Sequence, residues 1–346
     1  MEDEFNVTYI TLDGHVEVHK YRYLYFVIMF TVYVLIICSN STVTCLICIH
    51  QNLHEPMYIF IAALSVNSVL YSTAIYPKLL IDFLSEKQII SYSACLFQGL
   101  TYYTLVYSEF LLLAAMSYDR YVSICKPLQY PAIMKKTTTS VLLVLAWLMP
   151  ACEIAVAGSL TVNIKLCGFT LKGIFCNNSL FDLYCVHIEA LSVYGVVILL
   201  NMALLPVLFI LFTYTRIFVI SYKSCREVRR KAAQTCLPHL MVLMNFSCFI
   251  TYDVIIVRLE AGFPKTARLI MTLQVILYHP LFNPIIYGLK MKEISKHLRR
   301  LFCEQKFVYI YIIYHKIYHT TSFPLEGRGL QVSGIHILPG PHTGVQ

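Results

Sequence analysis

Seven stretches of this chain stay apolar long enough to cross a bilayer, and no other feature limits its fold as strongly. They run over about 23–49, 57–82, 95–118, 139–162, 190–220, 236–259 and 266–289, and a spanning helix needs roughly 20 such residues. The second carries Lys78 near one end and the third carries Glu109. Only 13% of the residues are charged and 58% are hydrophobic, with a mean hydropathy of +0.65; a soluble domain has about a quarter of its residues charged. The two soluble domains that 346 residues would otherwise suggest are excluded. Nor does the chain show the alternating ~10-residue segments of a membrane barrel. The expected fold is an all-α membrane protein, a seven-transmembrane helix bundle.

Charge sets the orientation. Segments 119–138, 216–235 and 290–303 hold fifteen Lys and Arg, and the opposite loops hold eight, with many acids among them. By the positive-inside rule the basic segments are cytoplasmic and the N-terminus is outside. The net charge of +8 follows from this topology. It calls for anionic lipid beside the spans rather than a nucleic-acid partner. The first residues are acidic where a secretory signal would be basic, so the first span is expected to act as its own insertion signal. Asn6, in Asn6-Val7-Thr8, is then an outside glycosylation candidate, and Asn177 is a second.

Of the 13 cysteines, most lie in spans or on the inner side, where a small buried hydrophobe is the plain reading. Cys95, Cys167, Cys176 and Cys185 lie at the outer face, an oxidising side where disulfides persist. Four cysteines allow three pairings, and spacing does not choose among them. Full pairing ties the loop after the fourth span to the third helix at least once, making that loop a lid.

Ionisable groups inside spans are costly and mark function by default. Glu109 needs a cation, a proton or amide partners. Asn67 in the second span and Asn283 in the seventh are the amide candidates, and a Na⁺ ion is a possible occupant of Glu109, Asn67 and Asn283. Arg120 follows Glu109 by 11 residues, close to three turns, so the two share a face. At the inner end Asp119 and Arg120 are adjacent; a pair that opens when helices part is a switch that a ligand can bias. The plainer reading is a helix-end charge pair of little worth. Pro280 and Pro284 break backbone bonds in the seventh span, and Asn283 is the expected substitute donor. Residues 290–303 read as an amphipathic helix on the cytoplasmic surface, with Cys303 a lipidation candidate. No catalytic cluster or nucleotide-binding loop appears, and no inverted repeat of a transporter.

Several runs carry a resemblance. They are Asn40, Leu53-His54-Glu55-Pro56-Met57-Tyr58, Cys95, Met116-Ser117-Tyr118-Asp119-Arg120-Tyr121-Val122-Ser123-Ile124-Cys125, and Trp147. The triple-cysteine loop, Thr213-Tyr214, Lys231 to Leu240, and Asn283-Pro284-Ile285-Ile286-Tyr287 complete them. Across residues 20–303 the chain resembles rhodopsin-like G-protein-coupled receptors, and within them the odorant receptors, most of all the fish-type branch. The resemblance implies disulfides Cys95–Cys176 and Cys167–Cys185. It implies a small-molecule odorant held by Tyr102, Tyr103, Val106, Tyr107, Ile198, Met202, Thr251, Tyr252, Ile255, Leu273 and Ile276. It implies a switch built from Asp119, Arg120, Tyr121, Tyr214, Asn283, Pro284 and Tyr287, and an olfactory stimulatory G protein that raises cyclic AMP. The chain departs from the pattern at Asn67, where many relatives have Asp, and at Pro238, where they have Ser. The expected organisation is an outer tail over 1–22, the receptor domain over 23–303 and a cytoplasmic tail over 304–346. The alternatives are a receptor for a peptide or lipid, or a transporter or channel; an enzyme ranks last.

Overall fold

A computed structural model describes residues 8–162, 164–185, 189–223, 226–227, 230, 236–237, 239–248, 264–291 and 293–300. The chain divides into two units, Met1–Leu298 and Arg299–Gln346. The expected tail 304–346, Cys303, Asn6, Pro238 and half of the expected sixth span lie outside the described residues.

Lipid cannot satisfy backbone polar groups, so apolar runs of this length close their hydrogen bonds within helices. The long helices are α1 (Val18–Ile49), α2 (Pro56–Leu84), α3 (Tyr92–Cys125) and α4 (Lys136–Thr161). They continue with α5 (Glu189–Tyr222), the shorter apolar α6 (His239–Cys248) and α7 (Lys265–Lys290). Residues 293–300 form a last helical stretch, α8, whose Ile294 is buried. Among the described residues five helices are long and apolar enough to cross a membrane, namely α1, α2, α4, α5 and α7. α3 is as long but richer in polar side chains, including Glu109, Asp119 and Arg120. Local signals set the ends. Pro56 takes the first position of α2, where its missing N–H costs nothing. Ser91 caps α3 by accepting from the Ala94 amide. In α5 a π-helical turn, Leu200–Leu204, precedes Pro206 and leaves Met202 and Ala203 on the buried side.

α3 is the central rod, packed against α2, α4 and α5, while α1 and α2 pack on α7. The core runs down this axis through Tyr71, Tyr76, Tyr102, Phe110, Met116 and Tyr287. Leu204, Leu205, Leu208 and Phe212 of α5 point outward, as lipid-facing residues do.

Within the segment expected as a tail over 1–22 lies a strand. Residues Tyr9–Leu12 form β1, the middle strand of a three-stranded sheet. β1 pairs antiparallel with β2 (Ile89–Ser91) and parallel with β3 (Thr170–Leu171). Ile10 and Leu12 are buried in a small satellite core with Cys95, Leu171 and Cys176. Gly14 presses on the loop so closely that a Cβ there would meet the Gly173 backbone at 2.5 Å. The chain's start therefore helps to roof the bundle.

The two prolines of α7 are also served differently from expectation. Pro284 has no N–H for the Pro280 carbonyl, and Pro280 none for the Ile276 carbonyl. Asn40 of α1 donates to Pro280 O at 3.0 Å, and the Tyr76 hydroxyl of α2 donates to Ile276 O at 3.4 Å. Asn283, the expected donor, spends its amide elsewhere.

Candidate functional site

The outer half holds a lid over a cavity. Cys95 is bonded to Cys176 and Cys167 to Cys185. Gln98 of α3 clamps the same place, donating to Ala74 O and accepting from the Cys176 amide, both at 3.0 Å. The Asn177 side chain caps a 3-10 helix, Asn178–Leu183, and the Asn178 amide donates to the Tyr103 hydroxyl at 3.0 Å. Beneath this lid lies a cavity of about 240 Å³ between α3, α4 and α5. Its walls include Leu100, Tyr103, Tyr107, Ile154, Ala157 and Ile198, and its roof includes Asn177, Asn178 and Phe181. Among the described residues no Asp, Glu, Lys or Arg lines it. It is slightly smaller than the usual range for ligand pockets, about 300–1,000 Å³, and so suits a small molecule.

Three of the residues expected to hold a ligand, Tyr103, Tyr107 and Ile198, line this cavity. Tyr102 does not; its ring packs against Tyr71, Tyr103 and Phe175, the last at 5.0 Å, because the loop dips beside the disulfide. Val106, Met202, Leu273 and Ile276 lie in the packed core instead. Thr251, Tyr252 and Ile255 lie outside the described residues. Ile154 and Ala157 of α4 and the lid residues enter the wall unannounced, since an apolar helix shows no sequence mark for the face it turns to a cavity.

Mid-membrane, α2, α3 and α7 converge on one carboxylate. Glu109 is fully buried. Asn67 Nδ2 donates to Oε2 and Asn283 Nδ2 to Oε1, each at 3.0 Å. The two amides singled out in the sequence thus meet the acid. A third donor, unforeseen, is His279, whose Nε2 lies 3.0 Å from Oε2. It sits four residues before Asn283, one helical turn away, and a histidine inside a span was the available signal. Each amide is held from its other side as well. Asn67 donates to Leu105 O at 3.0 Å and accepts from Trp147 Nε1 at 3.2 Å; Asn283 donates to the Ser68 hydroxyl at 3.0 Å. Glu153 of α4 is a second acid inside a span that the sequence analysis passed over; it is half-buried, beside the Tyr194 hydroxyl that donates to its carbonyl.

At the inner end Asp119 is fully buried and Arg120 nearly so. The Arg120 guanidinium is paired with Asp119 Oδ2, its Nε at 2.8 Å. The Tyr130 hydroxyl, on a short turn after α3, donates to Oδ1 at 2.8 Å. Tyr130 was not foreseen, because it lies 11 residues from its partner across a Pro127 bend. Tyr287 is buried, with its hydroxyl 3.4 Å from His239 Nδ1 of α6. Tyr214 is buried and its hydroxyl has no hydrogen-bond partner among the described residues. Tyr121 is half-buried at the end of α3, and Pro284 is buried in α7. Neighbouring Cys125, outside the spans, has its thiol pKa raised by burial.

A helical bundle with an apolar cavity above, a buried acid in the middle and a closed charge pair below matches known proteins over most of its length. The olfactory receptor family model matches residues 29–305. The chain is 33% identical to human olfactory receptor 11A1 over 300 residues, which cover 86% of this chain and 94% of that protein. It is 32% identical to human olfactory receptor 2T27, covering 82% and 89%, and 31% identical to mouse olfactory receptor 4B13, covering 86% and 97%. These relatives are receptors, not enzymes, and the apolar helices make this chain a multi-pass membrane protein. The chain belongs to the olfactory receptor family.

Proposed function

We propose that the chain is an odorant receptor of the plasma membrane with seven spans, the N-terminus outside and a short cytoplasmic helix after the seventh. It takes a small neutral odorant into the cavity under the lid and activates the olfactory stimulatory G protein, which raises cyclic AMP. We also infer from the resemblance that it stands with the fish-type branch. The observation that carries the ligand reading is the cavity itself: apolar walls, tyrosine hydroxyls and amides at the roof, and no charged lining side chain among the described residues. A charged ligand entering it would lose its hydration without a counter-charge. Tyr103, Tyr107 and Ile198 carry the expected contacts.

The output end follows from Asp119 and Arg120. A ligand that favours the open state by ~3 kcal/mol shifts a two-state equilibrium about a hundredfold. With Arg120 released, the inner face can meet the G protein; Tyr214 and Tyr287 then flank it. Sheltered sites for odorant and sheltered arginine are what a transporter would not need.

The test is a cyclic AMP reporter in cells displaying the receptor, challenged with neutral odorants, amines, amino acids, bile acids and prostaglandins. Neutral compounds are expected to activate it. Arg120→Ala is expected to abolish the response at unchanged surface display. Ala157→Phe, which fills the cavity, is expected to weaken potency at least about tenfold, a shift worth ~1.4 kcal/mol. Full signalling by Arg120→Ala, or ligand flux without any G protein, would refute this reading.

A further inference from the structure

We infer that the carboxylate centre of this receptor is closed by its own His279, and that the place a sodium ion would take beside Glu109 is filled by the imidazole. The acid at that depth first suggests a cation held by Glu109, Asn67 and Asn283. The residues do not fit one. A cation needs converging oxygens, and Glu109 is met by three nitrogens, Asn67 Nδ2, Asn283 Nδ2 and His279 Nε2, each at 3.0 Å. Each offers the positive end of an N–H to the carboxylate, the role the cation would have played, and each would repel it.

The amides are not at liberty to turn their oxygens inward. Asn67 has its two N–H groups on Leu105 O and Glu109 of α3 and its oxygen on the Trp147 indole N–H of α4, so all three positions are fixed from two helices. Asn283 is oriented by Ser68 on one side and Glu109 on the other. His279 is wedged as firmly. It is buried, its ring lies 4.5 Å from that of Phe246 on α6, and it meets the edge of Tyr71 at 5.3 Å. The unpartnered oxygens nearby among the described residues are Asn283 Oδ1 and the Ser65 hydroxyl, too few for an ion's shell.

His279 is thus a positioning residue. It joins Glu109 of α3 to α7 and, through Phe246, to α6, and it removes the need for an external ion. The receptor's stability should not depend on which monovalent cation bathes it.

The experiment uses purified full-length receptor and follows thermal unfolding with a thiol-reactive dye, in sodium chloride and in choline chloride at about 0.15 M ionic strength. The wild type is expected to unfold within about 1 °C in the two salts, because a ligand that does not bind the folded state cannot stabilise it. The double variant His279→Ala with Asn67→Asp removes the imidazole and supplies a second carboxylate. It is expected to unfold a few degrees higher in sodium than in choline, roughly the effect of an ion bound well below the salt concentration. Sodium-selective stabilisation of the wild type, or sodium-NMR line broadening by the wild type beyond that of Glu109→Gln, overturns the inference. So does a folded double variant that ignores sodium, since the imidazole would then not be what keeps the ion out. If the double variant does not fold, the wild-type salt comparison and the NMR titration still decide. Neither measurement needs an odorant or a G protein, so the outcome is separate from that of the functional reading.

Discussion

Replacing Asn40 by Ala strands a carbonyl in the middle of the membrane. Asn40 is fully buried and its Nδ2 donates to Ile36 O at 2.9 Å and to Pro280 O at 3.0 Å. The Ile36 carbonyl keeps its helical donor when the side chain goes. The Pro280 carbonyl keeps none, because residue 284 is also proline. An unsatisfied buried carbonyl costs about 1–3 kcal/mol, while hydrogen bonds measured inside membrane proteins average nearer 0.6 and reach ~1.7 kcal/mol. The two ranges overlap at about 1–2 kcal/mol, so a fall in apparent melting temperature of roughly 2–6 °C is expected. The discriminating step is a double-mutant cycle. Pro284→Ala restores an N–H facing Pro280 O, so in that background Asn40→Ala should cost under ~0.5 kcal/mol, a coupling well outside additivity. The assay is thermal unfolding of the purified receptor at one fixed scan rate, since such transitions are often kinetic. Additive losses in the cycle would show that Asn40 stabilises by packing alone, and the account of the α7 prolines would be wrong.

Two further outcomes follow from the outer and inner faces. Burial beside Phe83 is the main cause that lowers the His15 pKa from 6.5 to about 4; a hydrogen bond to the Leu12 backbone opposes it, Lys78 adds to the lowering and Asp13 opposes. The unfolded state then binds the proton first, so the roof is fully stable above about pH 6.5 and loses stability as pH falls toward 4. Protection factors in β1, exchange compared with the intrinsic rate at the same pH, should fall between neutral pH and about pH 5 in the wild type and much less in His15→Phe; an equal loss of protection in both would exclude His15 as the cause. At the other end, Tyr130→Phe removes one donor from Asp119, worth about 1 kcal/mol, and should raise basal signalling up to about fivefold at unchanged surface display. Unchanged basal signalling would mean that the Asp119–Arg120 pair does not need it.

The long helices were legible because lipid leaves an apolar run few ways to satisfy its backbone, although composition placed their ends only to within several residues, as where α3 runs on from the expected 118 to Cys125. Glu109, Asn67 and Asn283 were legible for a related reason: polar groups in such runs must find one another. What stayed hidden depended on distance along the chain. Asn40 serves a carbonyl 240 residues away, and Tyr76 one 200 residues away. Neither has a local pattern that names its partner, and the nearer Asn283 looked the better candidate. β1 is four residues long, too short for alternation to stand out, and its strand character comes from pairing with two loops. The ligand wall was half legible. The stripe Tyr103–Tyr107 is set by α3 itself, but which of its neighbours withdraw from the cavity depends on the Gln98 clamp and the Cys95–Cys176 bond, which turn the loop down onto Tyr102.

One stripe of α3 carries the structure's logic. Gln98 and Glu109 stand 11 residues apart, close to three turns, and share a face, with Asp119 another 10 residues on and a step round the helix from it. Each is an acceptor held by donors from elsewhere in the chain: Gln98 by the lid, Glu109 by α2 and α7, Asp119 by Arg120 and the Tyr130 turn. A displacement of the lid reaches Glu109 through α3 and through the ring chain Phe175–Tyr102–Tyr71–His279, whereas a displacement of α7 or α6 reaches it directly through Asn283, His279 and Phe246. The middle storey joins α2, α3 and α7 on one carboxylate, whereas the donors of the lowest storey, Arg120 and Tyr130, come from α3 itself and the turn that follows it. On the proposed reading, a ligand wedged between Tyr107 and Ile198 would push on α3 and α5 above that joint. For the push to free Arg120, α3 has to move as a rigid rod with Glu109 as its pivot, because bending it would break the bonds that cost most. Loosening the pivot by Glu109→Gln should then uncouple ligand binding from signalling without emptying the cavity, read as unchanged ligand affinity with a reduced maximal cyclic AMP response. Lost affinity together with lost response would place the pivot elsewhere.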